Sequence, residues 1–237
     1  MLLSTPGLVL HTTPYSESSV VAKVFTRQLG VRSYVIKGVR GPRGRVKQNL
    51  LQPLSSLDLV VYDIPKTDLN YIKEIFPRHP LPATHISLPT QNALCFFMTE
   101  VLYKALREAE PMPSLFDYIE STHSQLLSLN SNLSSLPIAF LLTVARHLGI
   151  EPLDNRSQRE PLFDLQEGRF VSSFTDTTLS PELSSLLHEY LHPSCATQPP
   201  PLAERIMLID ALITYYHLHL SGFSHFHSHE ILHTILK

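Results

Sequence analysis

Over the first third of the chain, apolar and polar residues alternate in short runs, whereas beyond about residue 90 the apolar positions recur every three or four residues. The first pattern belongs to strands with one buried face, the second to amphipathic helices. Five β-rich runs are expected, at 7–13, 19–26, 31–39, 57–63 and 70–76, separated by turn chemistry at Pro14 and Ser16, Gly30, the 38–44 glycines and Pro65. In the third run Val31, Ser33, Val35 and Lys37 face one way and Arg32, Tyr34 and Ile36 the other. Five strands in about 75 residues is the size of an OB-type barrel.

Four prolines and no periodicity mark 77–89, so a domain boundary is expected there, giving a barrel at 1–80 and a helical domain at 81–237. Leu94, Phe97, Met98, Val101, Leu102 and Ala105 form one stripe of a helix at 91–107. Further helices are expected from Ser114, at 137–148 with Gly149 and Pro152 as its stop, from the Ser180–Pro181 pair to near His192, at 202–220, and from Ser228. Phe163, Leu165, Phe170 and Val171 flank Glu167 and Gly168, which predicts a small hairpin inserted near 160–175. Pro199 to Pro201 make a rigid lead-in to the fifth helix. The fold class is α+β.

Charge divides the chain more sharply than its net of -2 suggests. Residues 1–80 hold eleven Lys and Arg against five acids, a balance of +6, which leaves -8 for the remainder. No acid occurs from Ser18 to Leu57, while eight basic residues fall between Lys23 and Lys47. Lys37, Arg40, Arg43, Arg45 and Lys47 crowd a loop containing Gly38, Gly41 and Gly44, where the backbone can approach a phosphate chain closely. A polyanion groove is the natural inference. Its expected members are Arg32, Lys37, Arg40, Arg43, Arg45 and Lys47, with Tyr34 as a stacking surface.

Other chemistry is poorly supported. Neither GxGxxG nor GxxxxGK[ST] occurs, so no nucleotide cofactor is implied. His229, Glu230 and His233 match HExxH, yet Ile231, Leu232, Ile235 and Leu236 are expected to form the buried stripe, with the histidines at its edge and Glu230 towards solvent. The few residues after His233 add no third ligand. His188 and His192, and His217 and His219 beside Tyr215 and Tyr216, are expected to cover the edges of helix faces. No nucleophile stands out; the expectation is a protein without catalytic activity, cofactor or metal. Cys95 and Cys195 are too few for a disulfide framework, and neither a secretory leader nor an apolar run of 18 residues is evident, which fits a cytoplasmic protein.

Several short stretches, in order, resemble one family: Gly7 to Leu10; Tyr15, Ser16, Glu17; Phe25, Thr26; Gly30; Lys37 to Arg40; Leu51, Gln52, Pro53; Glu100, Val101, Leu102; and Leu148 to Pro152. Phe163, Asp164, Leu165, Glu167, Gly168 and Phe170 follow, then Tyr215, Tyr216, Leu218 and Leu220. Their order across nearly the whole chain is similar to that of RecO, the bacterial recombination and repair mediator. The resemblance implies an N-terminal OB-fold joined to a helical domain, binding of single- and double-stranded DNA, strand annealing, and help in loading RecA onto DNA coated by single-stranded DNA-binding protein (SSB). It implies RecR and the acidic C-terminal tail of SSB as partners, and a nucleoid-associated place in the cytoplasm. Some members hold zinc with four cysteines in the helical domain; this chain has only two, so the 163–170 segment is expected to hold by packing alone. The competing expectation is an RNA-binding OB-fold protein.

Overall fold

The computed structural model describes residues 2–39, 48–62, 64, 67–78, 89–106, 110–126, 133–192 and 200–235. The chain forms two compact units, Met1–Leu129 and Asn130–Lys237.

The first unit is built on a closed barrel of five strands: β1 (Leu2–Pro14), β2 (Val20–Thr26), β3 (Gly30–Ile36), β4 (Ser56–Tyr62) and β5 (Asn70–Pro77). A 3-10 turn, Gln48–Leu51, precedes β4. The strands run around the barrel in the order β1, β2, β3, β5, β4, with β4 returning to β1. All neighbours are antiparallel except β3 and β5, which meet in parallel through Tyr34 opposite Asn70 and Val35 opposite Tyr71. This is the OB-type barrel expected. β1 begins five residues earlier than its alternation suggested, because its first half pairs with β4 and its second half with β2. The bend between those halves lies at a register shift between Val9 and His11.

Val9, Val20, Ala22, Val24, Tyr34, Ile36, Leu57, Leu59 and Val61 fill the barrel. A Cβ on Gly7 would lie 2.7 Å from Val24 Cγ1 and 2.9 Å from Leu59 Cδ1, so β1 needs glycine to sit this close to its neighbours. Two helices, α1 (Pro89–Ala105) and α2 (Pro113–Leu126), belong to the same unit. They cover the outside of β1 and β2. Phe25 packs on Phe116 with ring centroids 5.7 Å apart, and His11 on Tyr103 at 4.8 Å. Cys95 on α1 is half-buried, and burial pushes its thiol up to about 12, so it has no thiolate character at neutral pH.

The second unit holds α3 (Leu136–His147), the hairpin β6 (Leu162–Asp164) and β7 (Arg169–Val171), α4 (Pro181–Leu191), α5 (Leu202–His219) and α6 (Ser228–Ile235). Boundaries follow the caps anticipated from sequence. After α3, Gly149 takes φ +74° while Ile150 N–H donates to Ala145 O and Gly149 N–H to Arg146 O, a Schellman ending. Ser180 caps α4 by accepting from Leu183 N–H.

The hairpin segment does not hold by packing alone. Its Phe163 and Phe170 rings do meet edge-on at 5.2 Å. Beside them Asp164, only 3% exposed, accepts from the Gln166 and Glu167 amides (2.9 Å each) and from the Thr175 and Thr177 hydroxyls (2.7 and 2.8 Å). Burial opposes its charge, but these donors outweigh it and hold the carboxyl below the usual carboxylate range. Asn155 both donates to Phe170 O and accepts from Phe170 N–H.

Candidate nucleic-acid interface

The candidate surface lies at the seam where β3 ends and β5 begins. A groove of about 690 Å³ is lined there by Val35, Ile36, Lys37 and Gly38 from β3 and its exit, Tyr62 and Ile64 from the end of β4, and Tyr71 to Lys73 with Ile75 from β5. Local sequence explains the lining. In β4, Leu57, Leu59 and Val61 point into the core, which places Tyr62 in the solvent-facing phase with Asp58. Tyr71 stands directly opposite Tyr62, so the two rings share a face, each 44% exposed. Between Ile72 and Glu74 the β4 partner register jumps, leaving Lys73 as the extra residue of a bulge. Lys37 Nζ lies 5.4 Å from the Tyr71 ring centroid, and Lys73 pairs at 3.4 Å with Glu74, both half in solvent.

This surface combines flat aromatic faces with two lysines, Lys37 and Lys73, the pairing that lets a protein hold unpaired bases and the phosphates between them. It has an apolar floor of Val35, Ile36, Ile72 and Ile75.

The expected site residues fall in different places. Lys37 is exposed and lies in the groove. Tyr34 does not serve as a stacking surface: it is 1% exposed and its ring belongs to the barrel core, because it shares the inward phase of β3 with Ile36. Arg32 is half-buried, donates to its neighbour Val31 O, and sits five residues from Lys37, roughly 16 Å along the strand, away from the groove. Arg40, Arg43, Arg45 and Lys47 lie outside the described residues, and Val39 and Gln48 bracket them. Two cations of the acid-free run are committed elsewhere. Lys23 sits 5.0 Å over Tyr103 of α1, and Arg27 makes a two-bonded pair with Asp117 of α2 at 2.8 and 2.9 Å.

Tyr62, Tyr71 and Lys73 were not anticipated. The signal that could have found them is an aromatic in the polar phase of a strand, where burial does not explain it.

The HExxH segment also differs from expectation. Ile231 is 53% exposed, and α6 turns Leu232 with the His229 and His233 side inward. The His229 ring lies 5.5 Å from both Phe226 and His233, and His233 Nε2 is 3.3 Å from Asp210 Oδ1 on α5. Burial raises the Asp210 carboxyl, partly offset by those two histidines. Glu230 is exposed, as expected.

Family comparison matches both halves of the chain. Residues 1–80 fit the model of the recombination protein O N-terminal region and residues 88–222 that of its C-terminal region. The chain belongs to the RecO family. It is similar over 98% of both lengths to the DNA repair protein RecO of Phocaeicola vulgatus, at 30% identity over 240 residues. RecO proteins of Azobacteroides pseudotrichonymphae (27% over 244 residues, 99% of each chain) and Flavobacterium johnsoniae (28% over 241 residues, the whole of each) match as completely. Among the described residues of this RecO-family chain no helix is long and apolar enough to cross a membrane.

Proposed function

We propose that this protein is a non-enzymatic recombination and repair mediator that holds single- and double-stranded DNA in the groove beside Lys37, Tyr62, Tyr71 and Lys73, together with the adjoining basic loop. Arg40, Arg43, Arg45 and Lys47 neutralise phosphates, and the two tyrosines hold unpaired bases. Annealing follows without covalent chemistry, since two strands whose phosphates are neutralised repel one another less and pair faster. The protein acts with RecR to help load RecA onto DNA coated by SSB, and engages the acidic SSB tail. RecO-family membership across both halves supports this reading. The observation that carries the site is the exposed Tyr62–Tyr71 pair beside Lys37, which belongs to the 18–57 run with no acidic residue. An RNA-binding role is not favoured, because the relatives are named for DNA repair.

The deciding experiment is annealing of complementary DNA oligomers, followed by fluorescence quenching, with matched RNA strands in parallel. The full chain accelerates DNA annealing well beyond the spontaneous rate. No acceleration, or acceleration confined to RNA, refutes the proposal.

A further inference from the structure

In the second unit, three side chains from two segments converge, none of them from the groove assigned to DNA. His188 Nδ1 lies 2.9 Å from Asp154 Oδ1, His192 Nε2 contacts Asp154 Oδ2, and the candidate ligand atoms of the three residues all fall within 4.8 Å of one another. His188 and His192 are four residues apart on and just after α4, so their rings leave the same helix face one turn apart.

Both sides of this cluster are held in place. Leu153, before Asp154, donates its N–H to Gly168 O at 2.8 Å, and Asn155, after it, is doubly bonded to Phe170. On the other side Ser184 Oγ of α4 accepts from Phe163 N–H at 2.9 Å, while the His188 ring stands edge-on to Phe170 at 6.0 Å. A surface ion pair between long, loose side chains has no such support. Here a carboxylate and two imidazoles from two segments meet at one point, their candidate ligand atoms all within 4.8 Å of one another, against the roughly 3.3 Å ligand spacing of a tetrahedral ion.

We propose that Asp154, His188 and His192 bind a divalent transition metal. Two imidazole nitrogens and one carboxylate oxygen suit Zn²⁺, with a water completing the fourth position on the solvent side. All three residues are at least partly accessible, so the ion can enter from solution. Bound there, it ties α4 to the strand-leading segment at 153–155 and so braces the hairpin from one side.

The test uses the full chain, without a histidine tag, stripped of metal and titrated with Zn²⁺ against a chromophoric chelator. One equivalent binds. His192→Gln and Asp154→Asn each weaken that binding by at least about tenfold, the loss expected when a ligand or its immediate support is removed. His229→Gln/His233→Gln leaves it unchanged. Zn²⁺ raises the thermal midpoint of the parent chain and not of His192→Gln, whose half-exposed ring can be replaced without loss of the fold. Four results overturn the proposal: no Zn²⁺ binding, binding equally tight in His192→Gln and Asp154→Asn, binding lost instead in the His229/His233 variant, or an equal Zn²⁺ shift in every variant.

Discussion

Removing the two groove rings with Tyr62→Ala/Tyr71→Ala separates stacking from charge. Stacking of a base on an exposed aromatic contributes about 1–3 kcal/mol. If each ring holds one base, each loss weakens single-strand binding roughly 5- to 150-fold. Lys37 already lies over Tyr71, but an exposed cation–π contact is worth only about 0.5–1 kcal/mol, so a base displaces it or uses the opposite face. Neither ring carries charge. Affinity therefore falls by the same factor at every ionic strength, and the slope of log affinity against log salt stays as it was. Fluorescence anisotropy with a labelled oligothymidine at four salt concentrations measures both quantities. Both rings are 44% exposed, so the fold should lose no more than about 1 kcal/mol, which chemical denaturation checks. Tyr62→Phe/Tyr71→Phe retains most of the affinity. The reasoning fails if the alanine variant binds like the parent, if the salt slope changes instead of the intercept, or if phenylalanine is as damaging as alanine.

Charge is addressed by the complementary variant, Arg40→Ala/Arg43→Ala/Arg45→Ala/Lys47→Ala. With six phosphate contacts from these residues plus Lys37 and Lys73, the single-strand salt slope is about -4, and the variant flattens it to roughly -1.4; an unchanged slope moves the phosphate contacts elsewhere. In the second unit, Asp164→Ala strands two amides and two hydroxyls around the hairpin and costs about 3 kcal/mol by denaturation; a loss under about 1 kcal/mol would mean the network is dispensable. Because the Asp164 carboxyl is depressed in the folded protein, its contribution is fully present above the unfolded carboxylate value near 3.9 and disappears as pH falls through the lower folded value. Acid unfolding of Asp164→Asn should accordingly show a shallower pH dependence below about pH 4 than the parent.

Most of the fold was legible in the sequence, because hydrophobic period and punctuation agree along nearly its whole length. Ser180, Gly149 and the prolines marked helix ends by mechanisms that are purely local. The site was less legible. Alternation in β3 separated Tyr34 from Val35, but only closure of the barrel decides which phase points inward, and that put Tyr34 in the core. Charge counting could not tell that Lys23 and Arg27 would be taken by Tyr103 and Asp117, residues 80 and 90 positions away. A separation of 34 residues likewise hid Asp154 from His188, so two histidines at helical spacing looked like a helix edge. Ile231 came out exposed because packing of α6 turned the His229 and His233 side inward.

The order of strands around the barrel also governs when the groove can exist during synthesis. β1, β2 and β3 are joined by short turns and can pair as soon as residue 36 has emerged. The seams of β4 with β1 and of β5 with β3 close loops of several dozen residues and wait for the segment 56–77. A nascent chain released between residues 47 and 56 would therefore carry all the cations of the acid-free run but only β1 to β3, with neither the Tyr62 nor the Tyr71 face. Such a fragment can cling to any polyanion through charge but has nothing with which to hold a base. Completing β5 is the step that turns a sticky basic segment into a shaped site.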